Sequence, residues 1–450
     1  MYHVHKYGGS SQASEQALHL SVELLLGDPL GRIVVVSAPK GVTNRLKDGY
    51  EAQCATGEFP PTIYRDIKDL FLQNHPGIAG QTARTLIEQE CSDELRSRIG
   101  ALPSSPTSSD LDYHYARLLS FGEHLQAQLY ALLLNQRGAG AQALSLAQTF
   151  HVNGNPRDAR YDPSSDELLR EQIHKDTPHI TVIGGFHGYD SLGNPLVFSR
   201  GGSDLTQTLV MRALSSPRGF NCTDIAGIKP IDPSLLAPEE RENVPTFAEL
   251  GHRVAQELAY NGARVLHPRC LEPLISEGLE LVVLSTFDPS GPRTVIRNVA
   301  GPHGIIAVTG KPDSFKVLHV ATGRMEGASG YLSDIFQRLS TLNIETIATS
   351  VVGVTATFIE PDQRRVDEVK KSLEEIGTVE VHNGSSMLAL VGNEISASPD
   401  LPLVVQILQG YGGLTVISKS ADDRSIWFAV PEGSFKPASA ELYRRIIRKK

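Results

Sequence analysis

The order of strand, glycine turn, helix and strand at the start of this chain constrains its fold more than any other feature. The opening "YHVHKYGG" alternates as a strand does, "SEQALHLSVELLLG" has helical spacing, and "GRIVVVSAPKG" is a buried apolar run. A helix between two such strands places them parallel through a right-handed crossover. Further strands are predicted at "AQALSL", "HITVIGGF", "PLVFS" and "LELVVLSTF". Residues 1–300 are therefore predicted to form one α/β domain around a mainly parallel sheet.

Three of these strands end in loops rich in glycine and small polar residues. The loops read "KYGGSS", "VSAPKGVTN" and "SRGGSD", and they carry Lys6, Lys40, Arg200 and Asp204. Because ligands bind at the carboxyl ends of parallel strands, we expect the three loops to meet there. No loop matches a P-loop or a dinucleotide fingerprint, and a single glycine pair is more often only a structural turn. Together, amides, fixed cations and a carboxylate are what phosphoryl transfer requires.

Charge and cysteine content exclude several classes of protein. With 42 basic and 51 acidic residues, the formal charge of −9 gives the chain no overall attraction for nucleic acid or anionic membranes. Cys54, Cys91, Cys222 and Cys270 form no CxxC pair, which argues against a zinc site or a disulfide framework. No apolar run reaches the length of a membrane span, and the start does not resemble a signal peptide. We expect a cytoplasmic protein.

One long helix is predicted in the middle of the α/β region. Residues 50–112 have a weaker pattern, and "GALPSSPTSSD" is typical of a surface loop. The stretch "DYHYARLLSFGEHLQAQLYALLLNQRG" that follows predicts a single amphipathic helix, capped by Asp112 and ended at Gly138. Glu123 lies inside this helix, where a carboxylate usually belongs to a solvated face.

From about residue 315 the chain contains the same pattern twice. Strand, helix, strand, strand and helix follow one another from "FKVLHVATG" to "RRVDEVKKSLEEIG", and a similar order recurs from "SMLALVG" to the end. The sequence thus predicts two small ferredoxin-like α+β modules, over 315–384 and 385–450. Beside a catalytic domain such a pair is either a regulatory appendage or a plain dimerisation unit, and composition does not separate the two.

Seven motifs, in this order, resemble the aspartate kinases (aspartokinases) of the amino acid kinase superfamily. They are "KYGGSS", "VVVSAPKGVTN", "SFGEHLQAQL", "VIGGFHG", "FSRGGSDLT", "TDIAGIKPIDP" and "NGARVLHP". The resemblance implies a three-layer α/β/α catalytic domain over residues 1–300 and two C-terminal ACT modules. It also implies transfer of the γ-phosphate of ATP to the β-carboxylate of L-aspartate, the first step toward lysine, threonine and methionine.

The resemblance also assigns roles to individual residues. As catalytic residues it implies Lys6, which would neutralise the phosphoryl group, and Asp204, which would orient Lys6 and the Mg²⁺ shell without ligating the metal directly. Those that would bind aspartate are Ser37, Thr43, Glu123 for the α-ammonium, Phe186, Arg200 for a carboxylate, and Ser203. Those that would bind the nucleotide are Lys6, Gly8, Gly9, Ser10, Gly201, Gly202, Thr223, Asp224, Lys229 and Arg264.

The nucleotide stretch departs from the family pattern. Lys229 stands where the family commonly has tyrosine, Ser234 where it has arginine, and Arg264 where it has lysine. Lys229 removes an aromatic ring and Ser234 removes a cation, so adenine stacking is expected to differ. Two alternative functions remain at this point: another amino acid kinase, such as a glutamate 5-kinase-like enzyme, or a degenerate amino-acid-binding regulator.

ACT modules of this family imply an amino acid effector, lysine or threonine, and a homodimer. The implied effector residues lie in "RMEGASGYLSDIF" and "IETIATSVVG", and they are Met325, Gly330, Tyr331, Leu332, Glu345 and Ser350. Backbone amides at a helix N-terminus would receive the effector carboxylate. Glu345 stands in the place of the aspartate that usually binds the effector's ammonium group.

Overall fold

The structure, a computed structural model, divides the chain into two compact units. It describes residues 2–75, 80–176, 179–199, 201–263, 266–321, 330–350, 353–412 and 415–449. Unit 1 comprises Met1–Ile228, Thr246–His252 and Arg264–Val299, and unit 2 comprises Lys229–Pro245, Arg253–Ala263 and Ala300–Lys450. The predicted boundary at residue 300 therefore omits two segments of unit 2. The first of these segments joins unit 2 because Ile231, Leu236 and Val244 pack into its core. The second is bound to it through Glu257 Oε2, which accepts from Ser425 Oγ at 2.6 Å.

Unit 1 is built on one eight-stranded sheet in the order β10-β12-β11-β9-β1-β2-β6-β3. All the neighbouring strands are parallel except β11 and β12, so the predicted mainly parallel α/β fold is confirmed. The strands up to residue 299 are β1 (His3–Tyr7), β2 (Gly31–Val36), β3 (Ala141–Ala143), β4 (Val152–Asn155), β5 (Asp158–Tyr161), β6 (Ile180–Gly184), β7 (His187–Tyr189), β8 (Pro195–Val197), β9 (Arg218–Thr223), β10 (Glu249–Gly251), β11 (Glu280–Ser285) and β12 (Arg293–Arg297).

Thirteen helices are described over the same part of the chain. They are α1 (Glu15–Leu26), α2 (Val42–Thr56), α3 (Pro61–Asn74), α4 (Gly80–Glu90), α5 (Arg96–Gly100), α6 (Ser108–Leu119), α7 (Phe121–Gln136), α8 (Leu146–Thr149), α9 (Ser165–Asp176), α10 (Gly202–Ala213), α11 (Pro238–Arg241), α12 (His252–Tyr260) and α13 (Leu271–Glu277). Within the described ranges no helix is both long and apolar enough to cross a membrane.

Helices cover the central strands, and the alternation of side chains along β1 decides which residues reach the site. Tyr7 packs in a core with Tyr130 of α7 and Leu18 of α1. Lys6, the preceding residue, projects to the other face, as successive strand residues do. There it meets Asp204 in the first turn of α10. A second core is formed by residues from α2, α3, α4, α6 and α7, including Phe71 of α3 and Phe121 of α7. The weakly patterned region 50–112 is therefore a helical layer.

Strand β8 does not belong to the central sheet, although the sequence predicts "PLVFS" as one of its strands. It pairs only with β7, as a two-stranded antiparallel hairpin. The chain turns at Phe186 directly after β6, and the Phe198 N–H donates to the Phe186 carbonyl at 2.8 Å. The loop "SRGGSD" consequently follows a hairpin rather than a sheet strand.

The single helix predicted from Asp112 to Gly138 is wrong, because the structure has two helices that meet at Ser120. Helix α6 begins earlier, with Thr107 as its N-cap in a capping box with Asp110. At the junction the guanidinium of Arg98 donates to the Arg117 carbonyl at 2.7 Å and to Ser120 Oγ at 2.8 Å. Arg98 thus binds a backbone carbonyl where one helix ends and the next begins.

Unit 2 contains one six-stranded antiparallel sheet in the order β14-β15-β13-β16-β18-β17. Its strands are β13 (Gly304–Ala321), β14 (Ile344–Ser350), β15 (Gly353–Phe358), β16 (Thr378–Asn393), β17 (Thr415–Lys419) and β18 (Ser425–Pro431). Its remaining helices are α14 (Tyr331–Leu339), α15 (Gln363–Glu374), α16 (Leu401–Gln409) and α17 (Phe435–Leu442).

Two large cores lie along this sheet, in addition to a small cluster of Phe315, Val317, Met387 and Ala429, and strands β13 and β16 contribute to both large cores. One core surrounds Ile335 of α14 and Val366 of α15, and the other surrounds Val404 of α16 and Phe435 of α17. Strands β13 and β16 pair with each other from end to end, through one register shift near the start of β13 and two near its middle. The predicted boundary between residues 384 and 385 therefore falls inside β16, next to Gly384 with its positive φ of 73°.

Candidate active site

The loop after β1 is held close to the strands beside it. The Gly8 N–H donates to the Cys222 carbonyl of β9 at 3.1 Å. A Cβ at Gly9 would lie 2.8 Å from the carbonyl oxygen of Ala38, so only glycine lets this loop contact the loop after β2. Ser10 then begins a single turn of 3-10 helix. The predicted phosphate loop is thus a tight turn at the carboxyl end of the sheet.

Lys6 and Asp204 form a largely buried ion pair at this edge. Lys6 Nζ lies 2.6 Å from Asp204 Oδ1, and the two side chains are 9% and 13% exposed. Asn221 Nδ2 donates to the same carboxylate oxygen at 2.9 Å. Because the carboxylate is anchored from β9 as well as β1, the ammonium group is fixed in position. A fixed cation is what a developing phosphoryl charge needs.

The loop after β2 lies beside the loop after β1. The Ser37 N–H donates to the Tyr7 carbonyl at 3.2 Å, and the Lys40 N–H donates to the Gly9 carbonyl at 3.0 Å. Gly41 has a φ of 98°, which reverses the chain so that Thr43 lies in the first turn of α2. Ser37 and Thr43 are both half-buried. Two of the three predicted loops are therefore in direct contact.

Glu123 is buried in α7 and is not on a solvated face. Its exposed fraction is 4%, and carboxylate oxygen Oε2 has no hydrogen-bond partner among the described residues. Burial raises the pKa of Glu123 to about 8, although hydrogen bonds from the backbone amides of Ala38 and of Glu123 itself act in the opposite direction. A buried carboxyl group with an unpartnered oxygen is suited to receive a cation.

The end of β6 brings Glu123 toward α10. A Cβ at Gly184 would lie 2.9 Å from the Glu123 carbonyl, and one at Gly185 would lie 2.7 Å from the Cβ of Ser203. Phe186 has a φ of 74°, a left-handed conformation that costs a non-glycine residue about 1 kcal/mol or more. Its N–H nevertheless donates to Thr206 Oγ1 at 3.2 Å, which holds the turn.

Helix α10 begins at the same place with its backbone amides uncapped. Gly201, at a φ of 77°, is the N-cap residue and provides no side-chain cap. Unpaired amides and the helix dipole make such an N-terminus a binding site for anions. Gly201 also passes so close to His267 that an added Cβ would overlap the His267 side chain. Gly202 lies close to Phe186, since a Cβ there would be 2.8 Å from the ring.

These contacts connect most of the predicted aspartate and phosphate residues into one ring. The ring runs from Lys6 through the glycine loop to Ala38, Glu123, Gly185 and Ser203, and returns through Asp204. Arg200 and Arg264 lie outside the described residues.

The residues predicted to bind the sugar and base of the nucleotide do not all lie in the same unit. Thr223 ends β9 one residue after the Cys222 carbonyl that binds Gly8, which places it beside the phosphate loop. Its hydroxyl donates to Asp224 Oδ1 at 3.1 Å, and Asp224 is exposed. Lys229 belongs to unit 2.

The predicted effector residues all belong to unit 2, and Met325 among them lies outside the described residues. Gly330 precedes α14 with a φ of 87°, and the Tyr331 hydroxyl donates to the Ile376 carbonyl at 2.8 Å. Leu332 is 38% exposed. Glu345 of β14 forms an ion pair with Lys311 of β13, and Ser350 ends β14.

Sequence reasoning missed the amides that brace this site. Gln12 Nε2 donates to the carbonyls of Tyr7 and Ser37, both at 2.9 Å, and Gln126 Nε2 donates to Gln12 Oε1 at 2.8 Å. The ends of β1 and β2 are thereby tied to α7. Gln12 directly follows the motif "KYGGSS" and Gln126 lies within "SFGEHLQAQL", so their proximity to these motifs could have indicated both residues. Asn221 had no such signal.

The arrangement can bind an ammonium group and an anion side by side. Glu123 provides the carboxylate, and Lys6 with the amides of the glycine loop and α10 provides the anion site. In the described part of the chain, no three His, Cys, Asp or Glu side chains are placed to hold a metal ion together.

Known proteins of one family are similar to this chain. The model of the amino acid kinase family matches residues 1–285. Lysine-sensitive aspartokinase 3 of Escherichia coli is 27% identical over 99% of this chain and 99% of that protein. Aspartokinase 3 of Bacillus subtilis is 25% identical over 98% of each chain.

Two solved structures of E. coli aspartokinase III are similar in fold. The complex with aspartate and ADP superposes with a TM-score of 0.83 at 24% identity, over 99% of this chain and 100% of the other. The complex with lysine and aspartate gives a TM-score of 0.74 at 25% identity, over 99% of both chains.

Proposed function

This chain belongs to the amino acid kinase family, and we propose that it is an aspartate kinase. It transfers the γ-phosphate of ATP to the β-carboxylate of L-aspartate and forms 4-phospho-L-aspartate and ADP. In the transfer an oxygen of the β-carboxylate forms a bond to the γ-phosphorus, while the bond from that phosphorus to the leaving oxygen of ADP breaks. The product is an acyl phosphate at the entry to lysine, threonine and methionine synthesis.

One observation carries the choice of an amino acid substrate: the buried carboxyl group of Glu123 lies in the same ring of contacts as the Lys6–Asp204 pair. A simple phosphate-binding site has no use for a buried carboxylate with an unpartnered oxygen. An α-ammonium group would supply the missing partner. The β-carboxylate of the same substrate would then point toward the anion-binding amides of α10.

Each of the predicted aspartate and phosphate residues has a role it can perform. Lys6 neutralises charge on the transferring phosphoryl group, and the amides of Gly9 and Gly202 donate to phosphate oxygens. Gly8, whose amide donates to the Cys222 carbonyl, holds the loop against β9. Ser37, Thr43 and Ser203 position the aspartate, and Phe186 packs against its backbone. The predicted role of Arg200, to bind a carboxylate through its two-pronged guanidinium, is part of the same proposal.

ATP is the phosphoryl donor, with Mg²⁺ as its counterion. Asp204 fits the water shell of this ion, because Mg²⁺ keeps several waters and both contacts described for the carboxylate involve Oδ1 alone, which leaves Oδ2 to accept from such a water. When bound, the ion neutralises phosphate charge. We assign the sugar and base side of ATP to Thr223, Asp224, Lys229 and Arg264.

The proposal is tested by a coupled assay with L-aspartate, MgATP and hydroxylamine, which traps the acyl phosphate as aspartyl hydroxamate. We expect hydroxamate with L-aspartate and none with L-glutamate. Product with glutamate alone would favour a glutamate 5-kinase-like enzyme. Absence of product with both at any enzyme concentration would favour a degenerate amino-acid-binding regulator.

Unit 2 is proposed to bind an amino acid effector, lysine or threonine, and to form a homodimer. Its modules are assigned to 315–384 and 385–450, and the catalytic domain to 1–300, with the segments 229–245 and 253–263 joining unit 2. Support for a dimer comes from α14, where Leu332 and Phe336 are 38% and 40% exposed. They are four residues apart and so lie on one face of the helix.

Phe336→Glu is expected to convert the dimer into a monomer, because it places a charge within this apolar face. Light scattering coupled to size-exclusion chromatography gives the mass directly. Gln337→Glu adds the same charge at the neighbouring exposed position and should leave the dimer intact. A monomeric native chain, or a dimer that survives Phe336→Glu, would remove α14 as the interface.

A further inference from the structure

Lys311 of β13 and Glu345 of β14 form an ion pair inside unit 2, although these two strands are not neighbours in the sheet. The Lys311 ammonium contacts Glu345 Oε2 directly, and the two side chains are 33% and 30% exposed. Strand β15 ends at Phe358, which pairs with Lys316 of β13. The residues of β13 that precede Lys316, including Lys311, therefore have no partner in β15. Lys311 can therefore reach past the end of β15 to β14.

The backbone at Lys311 is irregular in a way that directs its side chain. The register of β13 against β16 shifts between Lys311 and Phe315, as it does at a bulge. Gly310, just before it, has a φ of 152° and is packed against the Met387 backbone. A bulge changes the direction in which the neighbouring side chains project, and here the Lys311 side chain beside it projects toward the Glu345 carboxylate.

The ion pair lines a small pocket. Its walls include Tyr260, Phe315, Met387 and Trp427 as well as the pair itself, and the accessible space inside is only about 10 Å³. That volume is about the minimum for one water molecule and far below that of an amino acid. An amino acid therefore does not fit beside Glu345 while the Lys311 side chain lies there.

We propose that Lys311 is an internal competitor for an amino acid effector at Glu345. The inference rests on the proposed function, in which Glu345 receives the effector's ammonium group. The Lys311 side chain carries the same ammonium group on an alkyl chain, and it already occupies the carboxylate. A free amino acid must displace it, so the apparent affinity is the intrinsic affinity multiplied by the fraction of molecules in which the pair is open.

Removal of the competitor should therefore strengthen binding rather than weaken it. We expect the Lys311→Met variant to bind L-lysine at least about tenfold more tightly than the native chain does. This factor corresponds to an ion pair that is closed in about nine of ten native molecules. The variant should fold, because a partly exposed ion pair contributes only about 0–1 kcal/mol. L-threonine, titrated in parallel, identifies which amino acid benefits.

Trp427 gives a direct readout, since it lines the pocket and is the single tryptophan of the chain. Its indole N–H donates to Ser425 Oγ at 3.1 Å, which fixes the ring. Titration of tryptophan fluorescence with L-lysine, checked by calorimetry, measures binding without any kinase turnover. Failure of the kinase proposal and failure of this one are thus distinguishable.

Lys316→Met is the matched control, because it removes a lysine from the same strand that instead donates to Gln363 outside the pocket. It should bind L-lysine as the native chain does. Adding Glu345→Gln to Lys311→Met should abolish the gain. Equal affinities in the native chain and Lys311→Met, or no saturable binding of either amino acid to either protein, would overturn the proposal.

Discussion

Replacement of Lys6 by alanine is expected to lower kcat by about 10²- to 10³-fold while the KM for aspartate changes by less than about threefold. The reason is positional: the ammonium group is fixed at 2.6 Å from Asp204 Oδ1, and Asn221 holds the same carboxylate. A cation placed in advance needs no reorganisation when charge develops on the phosphoryl group, so its loss affects the transition state more than aspartate binding.

The measurement is steady-state formation of aspartyl hydroxamate over a range of aspartate concentrations. Lys47→Ala is the control, since Lys47 is an exposed lysine of α2 that pairs only with Glu51 one turn along the helix. It should leave both constants unchanged. If Lys6→Ala instead raised the KM for aspartate at unchanged kcat, Lys6 would be an aspartate-binding residue.

Glu123→Gln is expected to raise the KM for aspartate by about 100-fold or more, in keeping with the cost of removing one charge from a buried charge pair. The native enzyme should also show a distinct pH dependence. Burial raises the pKa of Glu123 to about 8, so in the free enzyme the group is mostly protonated at neutral pH. An ammonium group binds the ionised form, and therefore kcat/KM for aspartate should rise as pH increases from 6 to 8.

The expected rise is tens of fold over those two pH units, because the ionised fraction changes nearly tenfold per unit below the pKa. The Glu123→Gln enzyme has no carboxyl group to titrate there, so its profile should be nearly flat over the same range. A rising profile that persists in Glu123→Gln would assign the titration to another group. A flat profile in the native enzyme would argue that Glu123 is already ionised.

Much of the fold follows from local sequence patterns, and the errors have physical causes. The apolar run of β2 and the glycine turn after β1 predict a parallel sheet correctly because both are local signals. At the helix break at Ser120 the guanidinium of Arg98, twenty-two residues away, donates to a backbone carbonyl, and such a distant contact is not visible in the local pattern. The prediction of β8 as a strand of the central sheet is wrong, because strand propensity does not indicate which strand it pairs with.

The site shows the same division between local and distant information. Motif order was enough to select Lys6, Glu123 and Asp204, and the structure brings these three into one ring of contacts. The burial of Glu123 was not predictable, because its helix also supports a reading as a solvated face. Asn221 was missed because a single asparagine in a strand becomes meaningful only when Asp204 is found beside it.

The shared strands of unit 2 limit how such a protein can be recombined. Strands β13 and β16 each contribute to both halves of the six-stranded sheet, and β16 runs without interruption across residues 384 and 385. A chimaera that exchanged only the last 66 residues (450 minus 384) with a relative would join two foreign segments within one hydrogen-bonded strand. A graft of this sheet must therefore carry both halves together, so any effector specificity that they hold is transferred as one piece.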